Sequence, residues 1–327
     1  MENTVVSQKK AKNSLREVKK SAGGSKSSYK VRTDLAMEAR ENMEESAEGC
    51  RGVSVEEEYD EENEIKLTRV IIETKNGSKA MGKPIGTYIT LEAPAMALPD
   101  ENYHEEISDE LARQLRAIIP GIEKELAVMV VGLGNRDVTA DALGPNVVDN
   151  LTITRHMVRE YGKAAYNQSR IHMISGLIPG VMAKTGMESQ EIIRGVVEMT
   201  HPDVVIIVDA LAARSTKRLN RTIQITNTGI HPGSGVGNHR NAITQESLGV
   251  PVIAIGVPTV VDAATIVSDA FEKMLQLAGE EPLKVQDELF VGLGELYNMY
   301  VTGKDVDYEI KQISHIICNA INSALEI

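Results

Sequence analysis

Two aspartates, Asp141 and Asp209, carry the strongest chemical signal in this chain of 327 residues. Asp141 follows the apolar run Leu126-Ala-Val-Met-Val-Val131 and a loop, Gly132-Leu-Gly-Asn-Arg-Asp-Val-Thr-Ala-Asp141-Ala-Leu-Gly-Pro145. Asp209 closes the run Val204-Val-Ile-Ile-Val208 and precedes Ala210-Leu-Ala-Ala213. Short β-branched runs of this kind read as strands buried on both faces of a parallel sheet. In open α/β sheets, ligands bind beyond the carboxyl ends of such strands. A carboxyl set among apolar neighbours loses hydration and its pKa rises; a second carboxylate nearby raises one member further. The two then titrate as a unit. One accepts a proton from water while the other donates to a carbonyl oxygen. Taken by itself, Asp141 fits a turn or cap residue as well as a catalyst, and spacing alone does not bring the two acids together.

Other chemistries are less well supported. Gly132-Leu-Gly134 lacks the third glycine of a dinucleotide-binding loop, because Asp137 stands there. None of the seven histidines sits in a His-Glu-x-x-His helix. His231 lies in Thr228-Gly-Ile-His-Pro-Gly-Ser-Gly-Val-Gly-Asn-His239, a glycine-rich stretch suited to bordering a site. Asp141, Asp209 and His231 can in principle hold a divalent metal. A loop histidine that binds backbone or substrate is the plainer reading, so neither metal nor cofactor is expected. Ser234 is not on a Gly-x-Ser-x-Gly elbow, and Cys318 belongs to the apolar face of a helix.

The elements that must position these residues follow from periodicity. A hairpin pattern, Ile65–Thr74 and Ile85–Leu91, brackets the turn signal Asn76-Gly77. An amphipathic helix is expected from Glu101 to Ile119, stopped by Pro120-Gly121. Strands then fall at 126–131, 171–175, 204–208, 222–226 and 251–256, with helices at about 145–161, 188–200, 262–278 and 308–325. The alternation predicts an α/β fold: a mostly parallel central sheet with helices on both faces, plus an N-terminal β-hairpin extension.

Composition sets the outer bounds. With no Trp and two Phe, a base-stacking surface is not expected. A net charge of −12 argues against duplex binding, so no direct nucleic-acid partner is expected. There is neither a signal-peptide core nor a run of the ~18–20 apolar residues that span a membrane. Two distant cysteines, Cys50 and Cys318, indicate no disulfide framework. The expectation is a soluble intracellular protein without a membrane partner. Residues 1–34 carry nine Lys/Arg against three acids, net +6, and are expected to be flexible. Residues 35–64 carry twelve acids against two arginines, net −10.

Several motifs together resemble the germination protease, the spore protease of endospore-forming bacteria. They are Val31-Arg-Thr-Asp-Leu-Ala-Met-Glu-Ala-Arg40, Gly132-Leu-Gly-Asn135, Thr139-Ala-Asp-Ala-Leu-Gly-Pro145, Thr154-Arg-His156, Val208-Asp-Ala-Leu-Ala212 and Gly229-Ile-His-Pro-Gly-Ser-Gly-Val-Gly-Asn238. The resemblance covers most of the chain. It implies an endopeptidase that cleaves small acid-soluble spore proteins during germination, in the cytoplasm of the spore core. It implies a catalytic pair at Asp141 and Asp209, a homotetramer, and a zymogen that removes its own N-terminal segment. The fold of this family is similar to that of hydrogenase maturation proteases, in which the corresponding acids bind nickel. Family cleavage favours an acidic residue, then a hydrophobic one, then Ala. Asp34-Leu35-Ala36 matches that rule, so residues 1–34 read as a propeptide and 35–327 as one α/β protease domain with an acidic start. An acidic preference implies a basic subsite, for which Arg136, Arg155, Arg214 and Lys217 lie nearest the motifs; the Gly229–Asn238 loop is a further candidate for substrate contact, with His231 its polar contributor. Two rivals use the same scaffold: a metal-dependent peptidase or maturation protease, and a non-catalytic oligomeric binding protein.

Overall fold

A computed structural model of the chain describes residues 34–44, 52–162, 171–233, 240–278, 296 and 299–326. The basic stretch 1–33, Cys50 and the loop 234–239, Ser234 included, lie outside the described residues.

Among the described residues, nine strands form one sheet in the order β1-β2-β3-β7-β8-β6-β4-β5, with β9 pairing β8. Three strands, β1 (Val53–Asp60), β2 (Ile65–Ile72) and β3 (Gly86–Glu92), make an antiparallel wing. β7 (Thr222–Thr226) joins it antiparallel to the centre. The centre itself is parallel: β4 (Ala127–Gly132), β5 (Met173–Leu177), β6 (Val204–Ala213) and β8 (Val252–Asp262) run together. β9 (Tyr300–Val301) is a short antiparallel partner at the end of β8.

The helices fall on both faces, as the alternation predicts. α1 (Ala36–Glu44) follows the segment Asp34–Leu35, and α2 (Lys75–Met81) links β2 to β3. On one face α3 (Glu101–Ile118) and α4 (Leu143–Asn150) pack through Ile107, Leu111, Leu115, Leu143 and Val147 onto Val128, Val130, Val204 and Ile206. α5 (Arg155–Tyr161) leads towards β5, and the short α6 (Met182–Thr185) precedes α7 (Ser189–Thr200). α7 covers the other face, where Ile193 and Val197 meet Met129, Val131, Val205 and Ile207 together with Leu248 of α8 (Gln245–Leu248). α9 (Ala263–Ala278) continues from β8, and α10 (Val306–Ala324) joins α3 on the first face. The alternation of 128/130 against 129/131 is the two-residue period of a strand buried on both sides.

Three of the elements that differ from the sequence pattern have a plain physical cause. Asn76-Gly77 does not form a two-residue hairpin turn; it lies inside α2, because the Thr74 side chain caps that helix by accepting from Gly77 N at 3.1 Å. The helix expected over 145–161 is two, α4 and α5, broken at Leu151–Thr154, where the Thr154 hydroxyl is spent on His172 O (2.6 Å) and Ile174 N (2.8 Å) of the β5 segment. β1 forms from an acidic stretch where the sequence pattern marks no strand, Val-Ser-Val-Glu-Glu-Glu-Tyr-Asp. Its charged, exposed side chains suit a sheet edge, where like-charged residues deter further pairing.

Candidate active site

The two acids owe their positions to where β4 ends. β4 pairs with β6 as far as Gly132 opposite Val208, and Leu133 N then donates to Val208 O at 2.9 Å. The next residue of β6 is Asp209, which has lost β4 as a neighbour but stays in register with Gly256 of β8. Sequence alone ends the strand at Val208; in the structure β6 runs on to Ala213, so Asp209 sits within a strand rather than past its end. β4 is followed in the sheet by β5 on one side and β6 on the other. A crevice opens at such a switch point, at the carboxyl ends of the strands.

The loop leaving β4 folds Asp141 back over this crevice. Gly134 has φ +117°, and a Cβ there would lie 1.9 Å from Asp141 O. Asn135 N donates to Asp141 O at 3.1 Å and to its Oδ2 at 2.8 Å, closing the loop on the carboxylate. Thr259 Oγ1 of β8 donates to Ala140 O at 2.6 Å and ties the loop to the sheet. Gly144 lets α4 descend onto the strand ends, since a Cβ there would stand 2.4 Å from both Leu133 O and Val208 O.

The result is a cavity of about 510 Å³ whose lining includes Asp141, Asp209, Asp34, His231, Arg240 and Tyr300. Asp209 is 7% exposed. Burial pushes its carboxyl well above the usual carboxylate range, and the negative charges of Asp141 and Asp34 push in the same direction. Ala210 N donates to Asp209 Oδ1 at 3.0 Å, and this bond and the Arg240 charge oppose the rise only in part. Asp141 is less buried; desolvation raises it too, against the Asn135 N–H and Arg240. The two carboxyls therefore feel one another across a shared space, with Asp209 the more readily protonated.

A third acid enters the same cavity from the beginning of the described chain. Asp34 pairs with β6 like a short extra strand residue: its N donates to Ala212 O (3.2 Å), and Ala212 N donates to its Oδ2 (3.0 Å). Its carbonyl oxygen accepts from Lys83 Nζ at 2.7 Å and Gln224 Nε2 at 3.4 Å. Gln224 Oε1 in turn accepts from Ala36 N at 2.7 Å. Leu35, 0% exposed, packs with Leu211, Ala213 and Val261. Ala36, also 0% exposed, packs with Val70, Ile72, Met81 and Tyr88. Glu38 anchors α1 from within, accepting from Arg214 N (2.9 Å) and Ser215 N (3.1 Å) and pairing with Arg218 at 3.2 Å.

Of the residues singled out by sequence, Asp141, Asp209, His231 and Asp34 line one cavity, and Leu35 adjoins it. Arg136 pairs with Asp149 on the surface, Arg214 with Asp269 at 3.4 Å, and Arg155 begins α5; these three and Lys217 stand outside the lining. The cation that does line the cavity, Arg240, was missed by sequence reasoning, although it directly follows the glycine-rich stretch that drew attention to His231. Among the described residues, no group of three His, Cys, Asp or Glu side chains is placed to hold a metal ion.

A buried acid with a raised pKa affects stability as well as chemistry. A carboxyl whose folded pKa lies above its unfolded value stabilises the fold fully below the unfolded pKa, and that contribution is lost as pH rises through the folded pKa. Asp209 is therefore a burden on the fold at neutral pH and above. Asp209→Asn, which cannot ionise, is expected to gain about 1 kcal/mol at pH 8, roughly 1–2 °C in Tm for a chain of this size, and much less at pH 4. Thermal melts of both proteins across that range would show it. A constant or inverted difference would mean that Asp209 is not held against its charge.

A family model described as germination protease matches residues 31–290. The chain is 46% identical over 312 residues to a germination protease of Caldanaerobacter subterraneus subsp. tengcongensis, spanning 90% of this chain and 94% of that protein. Against a germination protease of Clostridium perfringens the identity is 43% over 314 residues, spanning 91% and 96%. Against one of Bacillus cereus it is 39% over 350 residues, spanning 91% and 94%. Among solved structures, the [NiFe] hydrogenase maturation protease HycI of Thermococcus kodakarensis is 19% identical, with a TM-score of 0.28 over 45% of this chain and 80% of that one.

Proposed function

This chain belongs to the germination protease family, and on that footing we propose that it is an endopeptidase made as a zymogen, whose Asp141 and Asp209 activate a water molecule. It is a peptidase of spore germination; small acid-soluble spore proteins are the proposed substrate, the spore core the proposed compartment, and a homotetramer the proposed assembly, these three resting on the family likeness. The proposed processing cut falls between Asp34 and Leu35, leaving residues 35–327 as the protease domain.

One observation carries the mechanistic reading: Asp141, Asp209 and Asp34 share a single cavity, and the charges of the first and third act on the second. In the proposed reaction Asp209, the more deeply buried acid, holds the proton, and Asp141 is the carboxylate. Asp141 takes a proton from water as the water oxygen bonds to the carbonyl carbon. The C–N bond then breaks, and the leaving nitrogen takes a proton from the pair. One water is consumed, and the products are a carboxylate and an amine. The family's sequence preference gains a physical account from the same segment. An acid pairs with β6, a hydrophobic residue fills the space by Leu211 and Val261, and only a small side chain fits where Ala36 is enclosed.

Intact-mass measurement of the full chain, incubated between pH 5 and 8 with and without a strong chelator, tests the reading. The expected result is loss of residues 1–34, a new N-terminus at Leu35, and cleavage of an added small acid-soluble spore protein, all unaffected by the chelator. An N-terminus and a substrate that both stay intact would favour a binding protein. Activity that vanishes with removal of a stoichiometric metal would favour the metal-dependent rival.

A further inference from the structure

A peptide bond under attack by water needs a partner for its carbonyl oxygen, where negative charge develops. The acids alone supply little for that oxygen if one serves as base and the other delivers its proton to the leaving nitrogen. Two side chains from the antiparallel part of the fold already touch the oxygen in question. Lys83, just after α2, places Nζ 2.7 Å from Asp34 O. Gln224, on β7, places Nε2 3.4 Å from the same atom.

We propose that Lys83 and Gln224 form the carbonyl clamp of this protease: Lys83 stabilises the charge that develops on the scissile carbonyl oxygen, and Gln224 fixes the peptide around it. The proposal rests on the reading above that the Asp34–Leu35 bond is cut. Gln224 reads the backbone on both sides of that bond, donating to Asp34 O and accepting from Ala36 N at 2.7 Å. It is 7% exposed, and its amide is matched to main-chain groups rather than to any side chain, which suits substrates of varied sequence. Lys83 is half-buried, and burial lowers its pKa against the pull of Asp34 and Glu38. An ammonium in such surroundings acts on a nearby oxyanion far more strongly than one in solvent. As the water oxygen bonds to the carbonyl carbon, the π pair moves onto the oxygen facing Lys83 and Gln224. When the C–N bond breaks, that pair returns to re-form the carbonyl, so neither residue gives up a proton. Asp209 keeps its proton for the leaving nitrogen.

Lys83 follows α2, next to the antiparallel wing, and Gln224 lies on β7, which joins that wing to the parallel centre. Asp141 comes from the loop after β4 and Asp209 from within β6, while Lys83 and Gln224 meet Asp34 O beside Leu211, in a small cavity lined by Tyr88, Thr226 and His231. The bond is thus held between two halves of one sheet.

The test uses the full chain with Lys83→Met, Lys83→Arg and Gln224→Met. It reads the first-order rate of cutting at Asp34–Leu35 by intact mass, and kcat and KM on a peptide containing Glu-Leu-Ala. Lys83→Met is expected to slow self-cutting and kcat by about 10²–10³-fold, with KM changed less than about threefold. Lys83→Arg, which keeps a cation, is expected to recover to within about tenfold of the parent. Gln224→Met is expected to raise KM as well as lower kcat, because it loses both backbone contacts. Melting curves confirm that each variant is folded; should Lys83→Met fail to fold, the Arg and Gln224 variants still decide. A parent protein that does not cut at this bond removes the functional reading itself. A parent that cuts, with Lys83→Met cutting at an equal or faster rate, overturns the clamp and leaves Lys83 as a structural latch. Equal failure of the Met and Arg variants, both folded, overturns it too.

Discussion

Asp209→Asn and Asp141→Asn will each leave the chain folded at its full-length mass, with the Asp34–Leu35 bond intact and added substrate uncut. The expected loss in rate is about 10⁴-fold or more for each, as for other members of catalytic groups that act as a unit. The double variant is expected to be no slower than the worse single one, because removing either acid already dismantles the shared proton. That lack of additivity separates a working pair from two independent contributors, and rates for all three variants are enough to establish it. Full activity in either single variant would take that residue out of the mechanism. The asparagine change keeps shape and removes only ionisation, so loss of activity with a raised Tm in Asp209→Asn would assign the loss to chemistry rather than to unfolding.

The second large effect concerns a residue with no functional group. Gly134→Ala is expected to lower activity by about 10²-fold and to destabilise by about 2 kcal/mol or more. Two causes act together. Its φ of +117° is a backbone conformation that alanine adopts only with strain, and the new methyl would fall 1.9 Å from Asp141 O, a backbone atom that moves only if the whole loop moves. The Asn135 N–H bond to the Asp141 carboxylate would shift with it. Gly249→Ala is the control: φ there is +76°, but nothing lies within 4 Å of the added Cβ, so a modest loss of stability is expected with activity retained. Equal behaviour of the two variants would show that crowding against Asp141 is unimportant.

How much of this was readable from sequence depended on the range of the interactions. The buried strands were legible because apolar, β-branched runs such as Val204–Val208 have few other places to go. β7 was found at its observed bounds, 222–226, and α3 to within a residue of its end. β1 was not legible, because its membership depends on the partner β2 and not on its own polar composition. The turn signal at Asn76-Gly77 lost to a stronger local event, the Thr74 cap. Asp141 and Asp209 stood out because an acid beside an apolar run is conspicuous. Lys83 and Gln224 did not, since each acquires meaning only from contact with a segment 49 and 188–190 positions away. No local pattern marks a lysine that faces a main-chain oxygen. The surface arginines near the motifs were reasonable from proximity in the chain, but Arg136 and Arg214 are engaged by Asp149 and Asp269.

The complete enclosure of Leu35 and Ala36 gives the site a built-in sense of time. Before hydrolysis, residue 35 contributes an uncharged amide nitrogen, and its alkyl side chain is at ease among Leu211, Ala213 and Val261. Under the proposed cut the same nitrogen would become a terminal ammonium, which needs solvent or a counter-charge where an amide nitrogen was enclosed. The scission would thereby turn a well-seated plug into an ill-fitting one and drive it towards solvent, vacating the groove for a foreign chain. On this view the proposed first cut is also the event that frees the groove.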